Sequence, residues 1–238
     1  AIMESNPRSL EHTYPYTNLI FAVGRLEETV GIIDELKAIE PLAMFWSRAQ
    51  QWNLTALRRY DDAEAEYQRS KTLAGSYAEP EYIRFLRLLS REDTDPQALR
   101  DQYRLLQDSE KGSFPDYLRE LAPVLGDRPD MLEVLRREFA AQPSSPIAQT
   151  ADALGDADLA LAALRSGWDG RRLEYDDYWS LWIAPYSVLR TLPGYKVLMR
   201  ESGLADYWRR TGDWPPRRRW SGNRGRVPLL RRPQHPRR

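Results

Sequence analysis

The sequence contains no cysteine and two histidines, His12 and His235. Without cysteine the chain has no disulfide, no thiol nucleophile and no thiolate zinc site. A catalytic triad or a histidine-based metal site would depend on these two histidines, and His235 lies in a terminal segment rich in proline and arginine. We therefore predict no catalytic residue, no metal site and no cofactor, and we interpret the chain as a protein that is not an enzyme.

Glycine-rich motifs and long apolar runs are missing as well. The sequence contains no Gly-x-Gly-x-x-Gly, Gly-x-x-x-x-Gly-Lys-Ser or Gly-x-Ser-x-Gly pattern, the motifs that cradle phosphates or present a nucleophilic serine. Its richest apolar stretches, residues 19–23 and 159–164, are five and six residues long, whereas a membrane span needs about 20. The sequence predicts no membrane span in this chain, and its start lacks the pattern of a secretory signal.

Two acidic clusters, within residues 61–66 and 174–177, are candidate catalytic or Mg²⁺-binding groups, because paired carboxylates can transfer protons or bind metal ions. The first cluster is predicted at the exposed start of a helix, where the helix dipole favours acidic side chains. No histidine or phosphate-binding loop accompanies either cluster. A structural role is therefore the favoured interpretation.

Acidic residues end at Asp213, and residues 217–238 then contain nine arginines. This leaves 26 basic and 35 acidic residues in residues 1–216, a formal charge of −9. Repeated prolines exclude a regular helix through the basic segment. Its arginines could bind the phosphates of nucleic acid or of an anionic membrane, and Trp220 could stack on a base. Charge alone does not read base sequence, so we predict a solvated tail with at most weak nucleic-acid binding.

The remaining sequence predicts an all-helical protein. Its composition is globular, with 42% hydrophobic residues, 8 Trp and 13 Tyr. Apolar residues recur at helical spacing, as at Leu132, Leu135 and Phe139. No segment shows the sustained alternation that is typical of a β-strand.

An internal repeat of 34 residues relates residues 23–29 to residues 57–63 without a gap. Gly24, Gly126 and Gly155 are predicted to end the first helix of a helix pair, because glycine readily adopts the left-handed conformation found there. Small residues near the start of the second helix allow close packing, bulky residues four positions later fill the space between helices, and prolines end the second helix. The small residues are Thr29, Ala63 and Ala160, the bulky ones Ile33, Tyr67 and Leu164, and the prolines Pro41 and Pro143.

The Gly-Arg-x-Glu-Glu-(small)…Pro and Arg-Tyr-Asp-Asp-Ala…Tyr patterns resemble the tetratricopeptide repeat family. This resemblance implies an α-solenoid, a right-handed superhelix of about five helix-turn-helix pairs. We expect these repeats in residues 1–167, a C-terminal helical cap in residues 168–215 and a flexible basic tail in residues 216–238.

The pattern Gly-Leu-x-x-Tyr-Trp-x-x-x-Gly-x-Trp-Pro, residues 203–215, is similar to the end of tetratricopeptide regions in bacterial signalling proteins. Those regions follow a ToxR-like winged-helix domain or a class III adenylate cyclase domain. The resemblance implies a sensory or interaction module; the alternative is the C-terminal regulatory part of a transcriptional regulator or cyclase whose output domain lies outside this chain. We expect Tyr207, Trp208 and Trp214 to cover the last apolar face of the solenoid. The resemblance favours a cytoplasmic location, or a periplasmic one for a detached sensor domain.

The repeat register also implies a concave groove that binds a peptide or a partner protein. Its predicted inward-facing residues are Tyr14, Asn18, Phe21, Phe45, Arg48 and Trp52. Amide groups can bond a peptide backbone and aromatic rings can hold its apolar side chains. The alternative is that each aromatic residue belongs to the core. The family's clamp for a C-terminal carboxylate is not predicted, because Tyr14 and Ala49 stand where it needs lysine and asparagine. Binding could change the solenoid's curvature or form a homodimer.

Overall fold

The structure is a computed structural model. It describes residues 10–74, 78–91, 94–109, 116–143, 147–168, 181–182 and 189–214. The prediction of an all-helical chain is confirmed for these ranges, in which every regular element is a helix and none is a strand.

The described ranges contain twelve α-helices, most of them joined by short turns. They are α1 (Leu10–Ala22), α2 (Leu26–Ile39), α3 (Met44–Ala56), α4 (Tyr60–Ala74), α5 (Ala78–Leu89), α6 (Pro96–Ser109), α7 (Asp116–Leu121), α8 (Arg128–Ala141), α9 (Ile147–Ala153), α10 (Ala157–Trp168), α11 (Pro193–Glu201) and α12 (Leu204–Thr211). Short 3-10 helices occupy Ala122–Val124 and Leu189–Thr191. None of the helices in these ranges has the length and apolar character needed to cross a membrane.

One turn geometry recurs between paired helices. Gly24, Arg58 and Gly155 have φ angles of +84°, +58° and +85°. They lie in the turns that follow α1, α3 and α9, each the first helix of a consecutive pair. The residue after each of them donates its N–H to the carbonyl five positions earlier, at 2.9, 2.8 and 2.9 Å, as in a Schellman helix end. The predicted role of the glycines is confirmed at Gly24 and Gly155; Gly126 also has a positive φ, of +101°, but it follows the 3-10 helix Ala122–Val124. Arg58 adopts the same conformation at the position that aligns with Gly24.

The residues that were predicted to pack between helices are all buried: Thr29, Ile33, Ala63, Tyr67, Ala160 and Leu164. A continuous apolar core runs from Phe21 on α1 to Trp208 on α12. Helix α5 contacts both α3 and α9. The Tyr117 hydroxyl on α7 lies 3.3 Å from the Tyr82 hydroxyl on α5 and 3.3 Å from the Thr150 hydroxyl on α9. These contacts join the middle of the chain to its later helices.

The C-terminal helices contact both ends of the helical array. Helix α11 packs on α10, the second helix of the last predicted pair. The indole N–H groups of Trp182 and Trp208 also donate to the carbonyls of Ala22 and Val23, at 2.9 and 2.8 Å. The cap therefore reaches the end of α1, a contact that the repeat pattern did not predict. Of the predicted capping aromatics, Trp208 is buried and Tyr207 packs on the core, whereas Trp214 is 41% exposed.

Candidate functional site

The structure places two of the predicted groove residues inside the core. Phe21 is 1% exposed and Trp52 is 6% exposed, and both belong to the main apolar cluster. For these two rings the structure agrees with the core alternative. Tyr14 lies on α1, but its side chain is outside the part of the chain that the structure describes.

Phe45 and Arg48 lie together on α3, in a different cluster from Phe21 and Trp52. The Arg48 guanidinium carbon is 5.0 Å from the centre of the Phe45 ring, within cation–π range. The Phe45 ring meets Trp46 edge to face, with centroids 4.9 Å apart. Both residues are partly exposed. Of the predicted groove residues, Phe45 therefore packs against a different apolar cluster from the one that contains Phe21 and Trp52.

Asn18 lines a pocket between α1, α2 and α3. The pocket is small, with a cavity volume of about 10 Å³, roughly the space that one water molecule needs. Its walls are Thr17, Asn18, Phe21, Thr29, Ile33, Ala49 and Asn53. Polar groups are contributed by α1, α2 and α3, and the apolar surface comes from Phe21, Ile33 and Ala49. This mixture suits recognition of a small polar group on an otherwise apolar segment.

Among the polar residues that line the pocket, Asn53 has a buried side-chain oxygen without a hydrogen-bond donor. Its side chain is 1% exposed, and its Nδ2 donates to the Ala49 carbonyl at 2.8 Å. Its Oδ1 accepts no hydrogen bond from the described residues. A buried acceptor without a donor costs roughly 1–3 kcal/mol. Asn53 thus lines the pocket and carries a buried amide oxygen that has no hydrogen-bond donor among the described residues.

The sequence prediction missed Asn53. The repeat register predicted Trp52 as a groove residue. Asn53 follows Trp52 in the sequence but lies on a different side of the helix. Ala49 and Asn53 are four residues apart and so share one helix face. That spacing, together with a small residue next to an amide, is a sequence signal for a polar pocket, but asparagine on a helix is usually exposed.

Helix α3 is unusually rich in buried polar side chains. Five of them are no more than 2% exposed: Ser47, Gln50, Gln51, Asn53 and Thr55. Gln50 bonds the Asp34 carboxylate on α2 at 3.0 Å, and Gln51 bonds the Ser70 hydroxyl on α4 at 3.3 Å. Polar contacts therefore hold α3 on two sides, and the pocket belongs to a third side, facing α1 and α2.

A buried carboxylate, Glu81 on α5, lies deeper in the molecule. It is 0% exposed. Its Oε2 accepts hydrogen bonds from the Tyr67 hydroxyl at 2.7 Å and from Gln102 Nε2 at 2.6 Å, and its Oε1 is 3.8 Å from Lys71 Nζ. Burial, followed by the hydrogen bond to Glu81, raises the pKa of Tyr67 above its ordinary value. The group links α4, α5 and α6 and opens into no described pocket.

The acidic cluster within residues 61–66 is tied to basic residues. Glu64 accepts from Arg84 Nε at 3.0 Å and from Arg87 Nη2 at 2.7 Å. Burial would raise the pKa of Glu64, but hydrogen bonds from Arg84 and Gln68 and the nearby guanidinium charges lower it below its ordinary value. Glu66 pairs with Lys37. The exposed position predicted for this cluster is found for Asp61 and Asp62 but is wrong for Glu64 and Glu66, which are partly buried and held in ion pairs. The described residues contain no group of three or more potential metal ligands, and the cluster within residues 174–177 lies outside them.

Asp152 at the end of α9 couples folding to pH. Burial raises the pKa of Asp152 from 3.8 to about 7, against the charges of Arg190 and Arg58 and a hydrogen bond from the Leu189 backbone. Because the folded protein then binds a proton more tightly than the unfolded chain, stability falls as pH rises from about 4 to 7. We expect Asp152→Asn to leave stability unchanged near pH 4 and to raise it by about 1–2 kcal/mol at pH 8.

Urea unfolding of both proteins at pH 4, 6 and 8 measures this difference. A difference that is the same at all three pH values would contradict the assignment to Asp152.

Comparison with known proteins gives no match, either to a family model, to a curated protein or to a solved structure.

Proposed function

We propose that this chain is a non-catalytic interaction or sensory module of the tetratricopeptide type, which binds an extended peptide segment of a partner protein. The segment would cross the pocket between α1, α2 and α3. Its backbone N–H would donate to Asn53 Oδ1, while Phe21, Ile33 and Ala49 contact an adjoining apolar side chain. The partner would then lie against Asn18, with Phe21 forming part of the pocket wall as well as of the core and Trp52 keeping its role in the core.

The repeated turn supports a solenoid of helix pairs as the scaffold. Gly24, Arg58 and Gly155 each end a helix with the same hydrogen bond, and paired helices such as α3 and α4 contact each other extensively. Rigid helices position side chains for binding more accurately than loops do.

The single observation that carries the proposal is the buried Asn53 oxygen without a hydrogen-bond donor. Native proteins pair almost all buried polar groups, so an unpaired buried acceptor on a pocket-lining residue supports a donor brought by a ligand. The second amide, Asn18, is 8% exposed and lines the same pocket. An extended peptide offers one backbone N–H per residue at regular spacing, and this matches a pocket with room for little more than one polar group.

Selection from a random peptide library on the full-length protein, followed by calorimetry, tests the proposal. We expect Asn53→Leu to weaken the selected peptide about tenfold, because one lost hydrogen bond is worth about 1 kcal/mol or slightly more. Gln51→Leu is the matched control: it removes a buried amide from the same helix, but one that faces Ser70 on α4. It should leave peptide affinity unchanged.

N-methylation of each peptide amide in turn then identifies the donor. One methylated position should weaken binding to the wild type and have no further effect on the Asn53→Leu variant. Equal affinity of the wild type and of both variants would show that the peptide does not use this pocket. Failure to select any peptide would count against the interaction module itself.

A further inference from the structure

The outer face of α2 exposes both acidic and apolar side chains. The charged side chains exposed on this helix are all acidic: Glu27, Asp34 and Glu35. Asp34 also accepts a hydrogen bond from Gln50 at 3.0 Å. Its one basic residue, Lys37, is only 11% exposed and pairs with Glu66 and Asp34. Arg59 from the next turn approaches Glu27 at 3.9 Å. The face thus carries a net negative potential toward solvent.

An apolar end adjoins these carboxylates. Ile39, the last residue of α2, is 54% exposed, and Leu42 in the following turn is 81% exposed. Two small exposed residues share this face: Gly31 lies between Glu27 and Asp34, and Ala38 lies between Glu35 and Ile39. A Cβ atom at Gly31 would meet nothing within 4 Å. The surface is therefore a shallow strip, acidic along its length, with two large apolar side chains at one end.

The described chain ends beside the opposite end of this strip. Asp213 is 3.5 Å from Arg25, the residue that immediately precedes α2, and the Trp214 ring lies 5.9 Å from the Trp208 ring. The 24 residues that follow contain nine arginines and no acid. The basic segment therefore starts at the first turn of the helix that presents the acidic strip.

The tail also carries an apolar group at a suitable distance. Leu229 and Leu230 are flanked by arginines and come 15 and 16 residues after Trp214. A segment of 15 residues can span at most about 50 Å when fully extended. The 14 residues of α2 extend about 21 Å at about 1.5 Å per residue. The two leucines can thus reach Ile39 and Leu42 without full extension of the connecting chain.

We propose that the arginine-rich segment, residues 217–238, docks on the outer face of α2 of its own chain. Its arginines pair with Glu27, Asp34 and Glu35, and Leu229 and Leu230 cover Ile39 and Leu42. Tethering supplies the high effective concentration that makes weak contacts sufficient. Docking would shield the basic segment from other anions. This contact lies on the outer face of α2 and does not depend on the peptide pocket.

Disulfide trapping in the full-length protein tests the docking, because the chain has no cysteine of its own. The test pair is Ala38→Cys with Pro228→Cys. The matched control pair is Ala65→Cys with Pro228→Cys, since Ala65 is an equally small, exposed residue on the neighbouring helix α4. The protein is freed of nucleic acid with nuclease and high salt, diluted, and oxidised with oxidised glutathione, and products are read by non-reducing electrophoresis and peptide mass.

We expect the test pair to form its intramolecular disulfide about tenfold faster than the control pair, through the higher local concentration of a docked segment. Asp34→Lys with Glu35→Lys, added to the test pair, should slow it to the control rate, as should 1 M salt. Circular dichroism checks that each variant keeps its helices. Equal rates for the two pairs, insensitivity to charge reversal, or disulfide-linked dimers as the main product would each overturn docking within one chain.

Discussion

Trp182→Ala is expected to lower the free energy of unfolding by about 3–5 kcal/mol, the range for truncating a buried tryptophan. The side chain is 1% exposed. Its indole N–H donates to the carbonyl of Ala22, 160 positions earlier in the chain, at 2.9 Å. Its ring meets Trp208 with centroids 6.1 Å apart and the Arg190 guanidinium at 5.1 Å. The substitution removes all of these contacts and leaves a cavity between the cap and α1.

Urea unfolding followed by circular dichroism measures the loss. Trp214→Ala serves as the matched control, because Trp214 belongs to the same region and is 41% exposed; it should cost less than about 1 kcal/mol. Trp182→Phe keeps most of the ring and loses the hydrogen bond, so it should fall between them. Similar small losses for Trp182→Ala and Trp214→Ala would mean that the cap contributes little to the fold of α1.

The contact between the cap and α1 is a feature of the fold that could not be predicted from the sequence. Local rules predicted the turns at Gly24 and Gly155, the buried small residue at Ala63 and the bulky one at Tyr67, because each depends on neighbours within one helix pair. The hydrogen bond from Trp182 to Ala22 depends on how several successive pairs curve. Small changes of angle at each step add up over the chain, and a single sequence does not fix them.

The candidate site was predictable only in part, for a related reason. The repeat register predicted groove residues on α1 and α3, and one of them, Asn18, lines the pocket. It also selected Trp52, which the structure buries. Large apolar side chains on an inward face can either bind a ligand or fill the core, and the choice depends on how closely the neighbouring helices approach. Asn53 was not predicted, because its burial results from the helices that pack around α3.

Glu81→Ala is expected to cost about 2–4 kcal/mol, because it leaves two buried donors without an acceptor at roughly 1–3 kcal/mol each. These donors are the Tyr67 hydroxyl and Gln102 Nε2, which bond Glu81 Oε2 at 2.7 and 2.6 Å. Lys71 loses less, since it is 31% exposed and can turn to water. The control, Glu133→Ala, removes an exposed carboxylate from α8 and should change stability by less than about 0.5 kcal/mol.

Glu81→Gln separates the hydrogen bonds of Glu81 from its charge. Glutamine keeps an acceptor for Tyr67 or Gln102 but loses the negative charge that faces Lys71, so we expect a loss of about 1–2 kcal/mol, smaller than that of Glu81→Ala. Equal losses for the two variants would assign the effect to charge alone. No loss for either would mean that the polar group is not needed to hold α4, α5 and α6 together. In that case Glu81 would be a buried acid that does not stabilise the fold, and it would become a second candidate for a ligand-binding role, alongside the pocket at Asn53.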